Sequence, residues 1–512
     1  MKKHCSSAAA IFGFLFLLSG TIFCLYLFPI IEKQYLNNQN FENGSILWQS
    51  FLKPQSTNKF KVYFFNVMNP ESAYQAEKPI IKEIGPYVYD QQKLRTITSF
   101  NRKENKFEFF ETTYYFFNSS ESGGRSEDDI VTIINYFLVG IIDDFKSEIK
   151  LEPLLAQSIL SNVIDIKNVF MTEKVKDILF DGIRIDCSNI SWFCTNFRVK
   201  HIQLLRPFGD DLKFSMFHHM NGTRVGPFEV HIGSDERKGD ILSYEEKTTL
   251  KMWRQNGQCH IIKGTNLQIF PSLAVPIPRI YIFFHELCRS MYFSFDNYRT
   301  VHDILSYTYV GKKDPFDVTK TNMCFCKREK IKQQSLSCNF KGTMNLNLCK
   351  NFSLIVSYPH FYLGDSKLSQ YTQGLTPMRE LHESFISLEP KSGIALSFAI
   401  RFQYNIYVKR VEEINMLSKI SDGMFPILWT EEISQSGPEK IQFFQNVMYI
   451  LKILNIGKYS SVVLGVLVML LSVMLVFYHK VRAELKERRN KIVFRHFDKK
   501  HKQTRFNTNL YP

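Results

Sequence analysis

The chain has no G-x-S-x-G nucleophile elbow, no P-loop and no dinucleotide fingerprint in a convincing setting. Its one near-match to a zinc hydrolase, HELCR from His285 to Arg289, has arginine where the second histidine would stand. Adjacent His218 and His219 would point different ways on either a helix or a strand, so they do not form a paired ligand. Cys324, Phe325 and Cys326 have no companion ligand cluster at metal spacing. These absences argue against an enzyme and call for no cofactor. Heptad runs and internal repeats are missing too, which excludes a coiled coil or a solenoid.

Charge is absent from two long stretches. Tyr459 to Tyr478 is a run of 20 residues without an ionisable acid or base other than its terminal tyrosines, and as a helix it spans the roughly 30 Å hydrocarbon core of a bilayer. Cys5 to Ile31 is likewise uncharged, behind Lys2, Lys3 and His4. A cleaved signal peptide also starts this way, but its apolar core is usually about 7 to 15 residues, so an uncleaved anchor is the expectation. The tail after Tyr478 holds 11 Lys or Arg against 3 Asp or Glu, which places it in the cytoplasm. Both ends are then cytoplasmic: residues 1–6, a span at 7–29, an extracytosolic domain at 30–458, a span at 459–478 and a basic tail at 479–512.

The formal net charge of +15 is concentrated outside that domain, which carries 51 basic against 46 acidic residues. The high pI therefore gives no reason to expect nucleic acid. It fits a tail lying against anionic membrane lipids.

Within the domain, Lys59 to Met68, Lys106 to Phe117, Ser353 to Tyr358 and Ile394 to Val408 are rich in β-branched and aromatic residues and read as strands. Arg279 to Phe295 is interrupted by charge too often to be a third span and reads as paired strand. Gly85 and Pro86 suggest a turn leading into the strand PYVY. Residues 126–180 read as a helical insertion: an N-cap at Ser126 with a helix through the 130s, a second helix from Pro153, and a third capped by Thr172 with Val175, Ile178 and Leu179 on one face. Lys146, Lys150, Lys167, Lys174 and Lys176 make this insertion a candidate cationic ligand-contact surface.

Eight cysteines lie outside the cytosol: Cys187, Cys194, Cys259, Cys288, Cys324, Cys326, Cys338 and Cys349. An even number in an oxidising compartment is most simply four disulfides, for which about 105 pairings are open. Proximity suggests Cys187 with Cys194, while the other six crosslink residues 259–349. Cys5, at the cytoplasmic border, is a candidate for acylation. Asn43, Asn118, Asn189, Asn221 and Asn351 head glycosylation acceptor sequences.

Two anchors and a six-cysteine region, together with KEIGPYVYD at 82–90, NGT at 221–223, ELCRSMY at 286–292, YPHFYLGD at 358–365, SLEPKSG at 387–393, RFQYN at 401–405 and FPILWTEE at 425–432, resemble the class B scavenger receptor family over nearly the whole chain. The resemblance implies a mixed α+β fold: a large antiparallel β-barrel-like ectodomain with an apical helical bundle at 126–180 and an apolar tunnel. It implies disulfides Cys259 to Cys324, Cys288 to Cys349 and Cys326 to Cys338. Around Gly264, Thr265 and Asn266 the sequence departs from many relatives, which have an additional acidic turn there.

The function so implied is capture of lipid, lipoprotein or anionic particles. Fatty acid, sterol or phospholipid would then pass towards the membrane. A protein-transport receptor for phagocytic or lysosomal cargo is the alternative, and a two-span ion-channel subunit a remote one. The tail lacks an acidic dileucine signal like that of the family's lysosomal member, so plasma membrane is the first expectation, with endosomal or lysosomal membrane second.

Overall fold

The structure, a computed structural model, describes residues 2–31, 46–54, 57–144, 169–188, 191, 194–195, 202–233, 236–253, 257–317, 319, 321–326, 340–412 and 414–506. It divides into two units, one of residues 1–38 with 442–512 and one of residues 39–441.

The first unit contains a helix over Lys2–Ile22, continued by a π-turn at Phe23–Leu27, and the membrane part of a helix over Pro438–Phe506. Candidate spans are Ile11–Ile31 and Lys452–Lys499. The two helices meet at their small residues. A Cβ on Gly13 would lie 3.1 Å from the Met469 backbone nitrogen, and one on Gly465 would lie 3.0 Å from Leu17 Cα. Contacts of 13 with 469 and of 17 with 465 run in opposite senses, so the helices pack antiparallel. Around this seam, Phe12, Phe14, Leu15, Leu464, Leu467 and Leu471 stay exposed, an apolar surface suited to acyl chains.

The second unit is built on strands β1 (Thr57–Val67), β2 (Ile81–Asn101), β3 (Lys106–Phe117), β4 (Ile130–Ile134), β5 (Phe170–Lys174), β6 (Ile183–Ile185), β7 (Leu205–Phe208), β8 (Asp211–Phe214), β9 (Arg224–His231) and β10 (Ile241–Tyr244). The later ones are β11 (Arg279–Phe284), β12 (Arg289–Val301), β13 (Ile304–Gly311), β14 (Thr343–Asn345), β15 (Ile355–Ser357), β16 (Phe385–Glu389), β17 (Ile394–Val408) and β18 (Gly423–Gln435). The main sheet runs β10-β9-β3-β2-β1-β18-β17-β16-β13-β12-β11, with β15 and β14 added beside β17. Every paired register in it is antiparallel.

Its two edges nearly close through the 264–265 segment. Ile241 N–H on β10 donates to Gly264 O (2.9 Å), while Thr265 exchanges hydrogen bonds with Tyr281 and Phe283 on β11 (3.0 and 2.9 Å). Gly264 sits at φ +84°, and a Cβ there would be 1.9 Å from Tyr281 O. Glycine is required because the two strand edges come together on this backbone. The Gly264–Thr265 segment is thus where the two sheet edges meet.

Gly85 and Pro86 do not form a turn. They lie inside β2 at a register shift opposite Tyr63, between the Val62–Tyr87 and Phe64–Ile84 pairs. A bulge leaves the proline, which has no N–H, out of the ladder without ending the strand.

The helical reading of 126–180 needs correction in its first part. Ile130–Ile134, a run of β-branched residues, pairs with β5 rather than forming a helix. Ser126 closes a local turn with Asp128 and Asp129. The helix starts at Tyr136 and runs to Asp144, capped by Asn135 Oδ1, which accepts the Leu138 N–H at 3.0 Å. Residues 136–142 of it are all buried, and Gly140 lies under the Phe352 ring, where a Cβ would be 2.2 Å from ring carbon. Thr172 is not a cap: its hydroxyl bonds Thr132 across the strands at 2.9 Å. A short helix does follow, and it buries Val175, Ile178 and Leu179 together. The helix expected from Pro153 lies outside the described residues.

Candidate functional site

Strand alternation gives the barrel sheet two chemically different faces. On the inner face stand Phe60, Val62 and Phe64 of β1, Tyr87 and Tyr89 of β2, and Phe402 and Tyr404 of β17. Following β2 and β3 along the same face, Gln91, Lys93 and Arg95 oppose Tyr115, Thr113 and Glu111. Beyond them Ile97, Phe107 and Phe109 belong to a second apolar cluster with Phe51, Phe228 and Trp253. A polar waist therefore separates two apolar clusters.

The waist is charge-paired. Lys93 Nζ is 2.6 Å from Glu432, Arg95 is 2.6 Å from Glu111, and Lys350 Nζ is 2.6 Å from Glu286. His219 and His285 lie 3.4 and 3.1 Å from the Glu286 carboxylate. Burial alone would raise the Glu111 carboxyl, but Arg95 and Lys93 outweigh it and bring it down to about 2. Glu286 is held well below the carboxylate range in the same way, with Lys350 the largest opposing influence on burial. Burial, helped by Lys350, pushes His219 down and keeps its ring neutral. Three cations and three carboxylates thus balance in formal charge across this belt.

The opposite face carries a second network under the 359–384 segment. Tyr63 stacks on Trp429 at 3.9 Å, and Trp429 Nε1 donates to Glu83 at 2.8 Å. His360 Nε2 reaches the same carboxylate at 2.6 Å while its Nδ1 accepts the Thr376 N–H, which assigns the proton to Nε2. His382 stacks on His360 at 4.3 Å and accepts the Met378 N–H at Nδ1. Burial, then the neighbouring His360, lowers His382 to about 4.

Of the lysines singled out above, Lys146, Lys150 and Lys167 lie outside the described residues. Lys174 and Lys176 share Asp128, at 3.0 and 2.9 Å. Glu127, Asp129, Glu173, Asp177 and Asp181 are neighbours in the sequence of these two elements, so the described part of the insertion is acidic. Crowding shows in Glu127, raised by burial and by Asp181 despite the Tyr89 hydroxyl nearby, and in Glu173, raised by burial and Asp177.

Disulfides join Cys187 to Cys194, Cys259 to Cys324 and Cys288 to Cys349. Cys326 is disulfide-bonded as well, while Cys338 lies outside the described residues. The side chain of Cys5, Asn43 and Asn189 are also outside them. Asn221 and Asn351 are exposed, and Asn118 is half-buried with its amide on Asp90 at 2.9 Å.

The sequence reading missed the waist altogether. Its one local signal is Gln91, Lys93 and Arg95 continuing, at a spacing of two, the parity of Tyr87 and Tyr89. Glu286 and Lys350, 64 residues apart, have no such signal.

The CD36 family model matches residues 11–476. Sensory neuron membrane protein 2 of Manduca sexta is 30% identical over 465 residues, covering 87% of this chain and 88% of that protein. Sensory neuron membrane protein 1 of Apis mellifera is 29% identical, covering 91% and 90%. Lysosome membrane protein 2 of Rattus norvegicus is 26% identical, covering 85% and 87%. With a nearly closed antiparallel sheet, two apolar terminal helices and a family match across nearly its full length, the chain belongs to the CD36 family, the class B scavenger receptors.

Proposed function

We propose that this receptor captures lipid, lipoprotein or anionic particles with its ectodomain and passes fatty acid or sterol through the barrel interior towards the membrane. The observation that carries the reading is the inner face itself: apolar clusters on either side of a balanced polar waist. An acyl chain or sterol ring is sheltered by such surfaces through loss of water contact, and a polar head finds partners at the waist. Both termini are cytoplasmic on this reading, the protein is no enzyme, and it resides in the plasma membrane or in endosomal or lysosomal membranes.

The test is transfer of labelled fatty acid or sterol into defined liposomes by the purified, reconstituted chain. Thr113→Trp places a large ring on the inner face at the waist. Saturable transfer that is lost in T113W, with surface ligand binding retained, is the expected result. Strong binding with no transfer in the unmodified protein overturns the conduit and favours a receptor for protein or particle cargo.

A further inference from the structure

On the flank of the β11–β12 hairpin, a pocket of about 170 Å³ opens between the hairpin and the two loops tied together by Cys259–Cys324. Three cations line it, Lys263, Arg279 and Arg289. Among the described residues none of the three has a carboxylate within ion-pair distance. Lys263 faces the Tyr281 ring at 5.7 Å and Gln258 Oε1 at 3.4 Å. Arg279 lies 4.4 Å over the Tyr292 ring. Asp314, close by, is taken instead by the Tyr292 hydroxyl, which donates to it at 2.6 Å.

Arg289 is the unusual member. It is only 3% exposed, and its Nε is buried without a hydrogen bond. Its hydrogen bond from Nη1 goes to the Met344 thioether at 2.9 Å, a weak acceptor, and the Phe325 ring covers the guanidinium at 3.8 Å. A guanidinium has five N–H donors, and burying it unpaired costs several kcal/mol unless an anion completes it. Burial pulls Arg289 down to about 9 against an opposing influence from Tyr358, with no carboxylate beside it among the described residues.

We infer that this pocket is a binding site for a phosphate or sulfate group, held by Arg289 from the buried side and by Arg279 and Lys263 from the mouth. A planar guanidinium pairs with a tetrahedral oxyanion through two parallel N–H bonds, which an ammonium cannot do. The volume is near that of a cavity known to admit benzene, about 150 Å³, so one such group fits and a whole lipid does not. Free oxyanion and the head of a phospholipid share this chemistry. The site is independent of lipid passage through the barrel, whose failure would leave it untouched.

The experiment uses the full chain in detergent, disulfides intact, in phosphate-free chloride buffer. Thermal melting is followed as inorganic phosphate is added, against sodium chloride of equal ionic strength. A saturable rise in Tm is expected for the wild type. Arg289→Met should abolish it and yet melt no lower than the wild type without phosphate, since methionine removes an unpaired buried charge. Arg279→Gln should weaken the phosphate response about tenfold, by loss of one charge-assisted pair. Dihexanoyl phosphatidic acid then distinguishes the sources: competition with phosphate identifies a lipid head, and phosphate binding undisturbed by it identifies the free ion. An equal phosphate shift in R289M, no saturable shift in the wild type, or a clear loss of stability in phosphate-free R289M overturns the inference.

Discussion

Lys350→Met is the sharpest perturbation of the polar waist. Lys350 Nζ and the Glu286 carboxylate are 2.6 Å apart, with side chains 8% and 26% exposed. At an effective dielectric of about 20 their attraction is roughly 6 kcal/mol, part of which desolvation takes back. Removing one partner of a fully buried pair costs about 3–5 kcal/mol. Glu286 keeps a quarter of its surface, so about 3 kcal/mol is expected here. An unfolding entropy of about 2.1 cal/mol/K per residue, over the roughly 400 residues of this unit, converts that to a Tm drop of about 4 °C. Calorimetry of the purified chain reads it directly. The double variant K350M with Glu286→Leu should recover at least about 2 kcal/mol, because the stranded charge is gone. A K350M loss below about 1 kcal/mol, or additive single and double effects, would refute a buried, mutually dependent pair.

Three further outcomes are expected. His382, neutral in the fold and lowered to about 4 against an ordinary 6.5, is protonated first in the unfolded chain, so its contribution is fully present above about pH 6.5 and is lost as pH falls towards 4. Melting temperature should fall over that window, with a shallower slope in His382→Gln; equal slopes would remove His382 from the cause. Gly140→Ala should lower stability by about 1–3 kcal/mol, because its Cβ would meet the Phe352 ring at 2.2 Å. Phe352→Leu should relieve much of that loss, as denaturant titration of the single and double variants would show. Paired serine substitution of Cys288 and Cys349, whose loop spans 61 residues, should cost about 4 kcal/mol, against about 2 for Cys187 and Cys194 at a separation of 7. Equal losses would point to native-state contacts in place of chain entropy.

Local pattern was enough for elements that owe their form to their own residues. The β3 and β17 stretches were readable from end to end, since a run of aromatic and β-branched residues favours extended backbone wherever it is placed. The two uncharged runs marked the two apolar terminal helices, long enough to cross a bilayer, for a similar reason: a bilayer tests length and polarity, which are sequence properties. Ile130–Ile134 carried the same β-branched signal, but the polar residues at Ser126 drew a helix boundary too early, when Asn135 was the cap.

Other features depend on what lies opposite. Nothing local to Glu286 or Lys350 points to a partner 64 residues away; the curling of the sheet brings the two within hydrogen-bond distance. Gly264 and Arg289 are equally silent in isolation. One is constrained by the strand edges that converge on it, the other by the lack, among the described residues, of a carboxylate around its buried guanidinium. The chain's own order determined its apolar terminal helices, most of its long strands and its family; only the tertiary structure decided which charges face each other, because pairing across a nearly closed sheet is set by register and closure, not by distance along the chain.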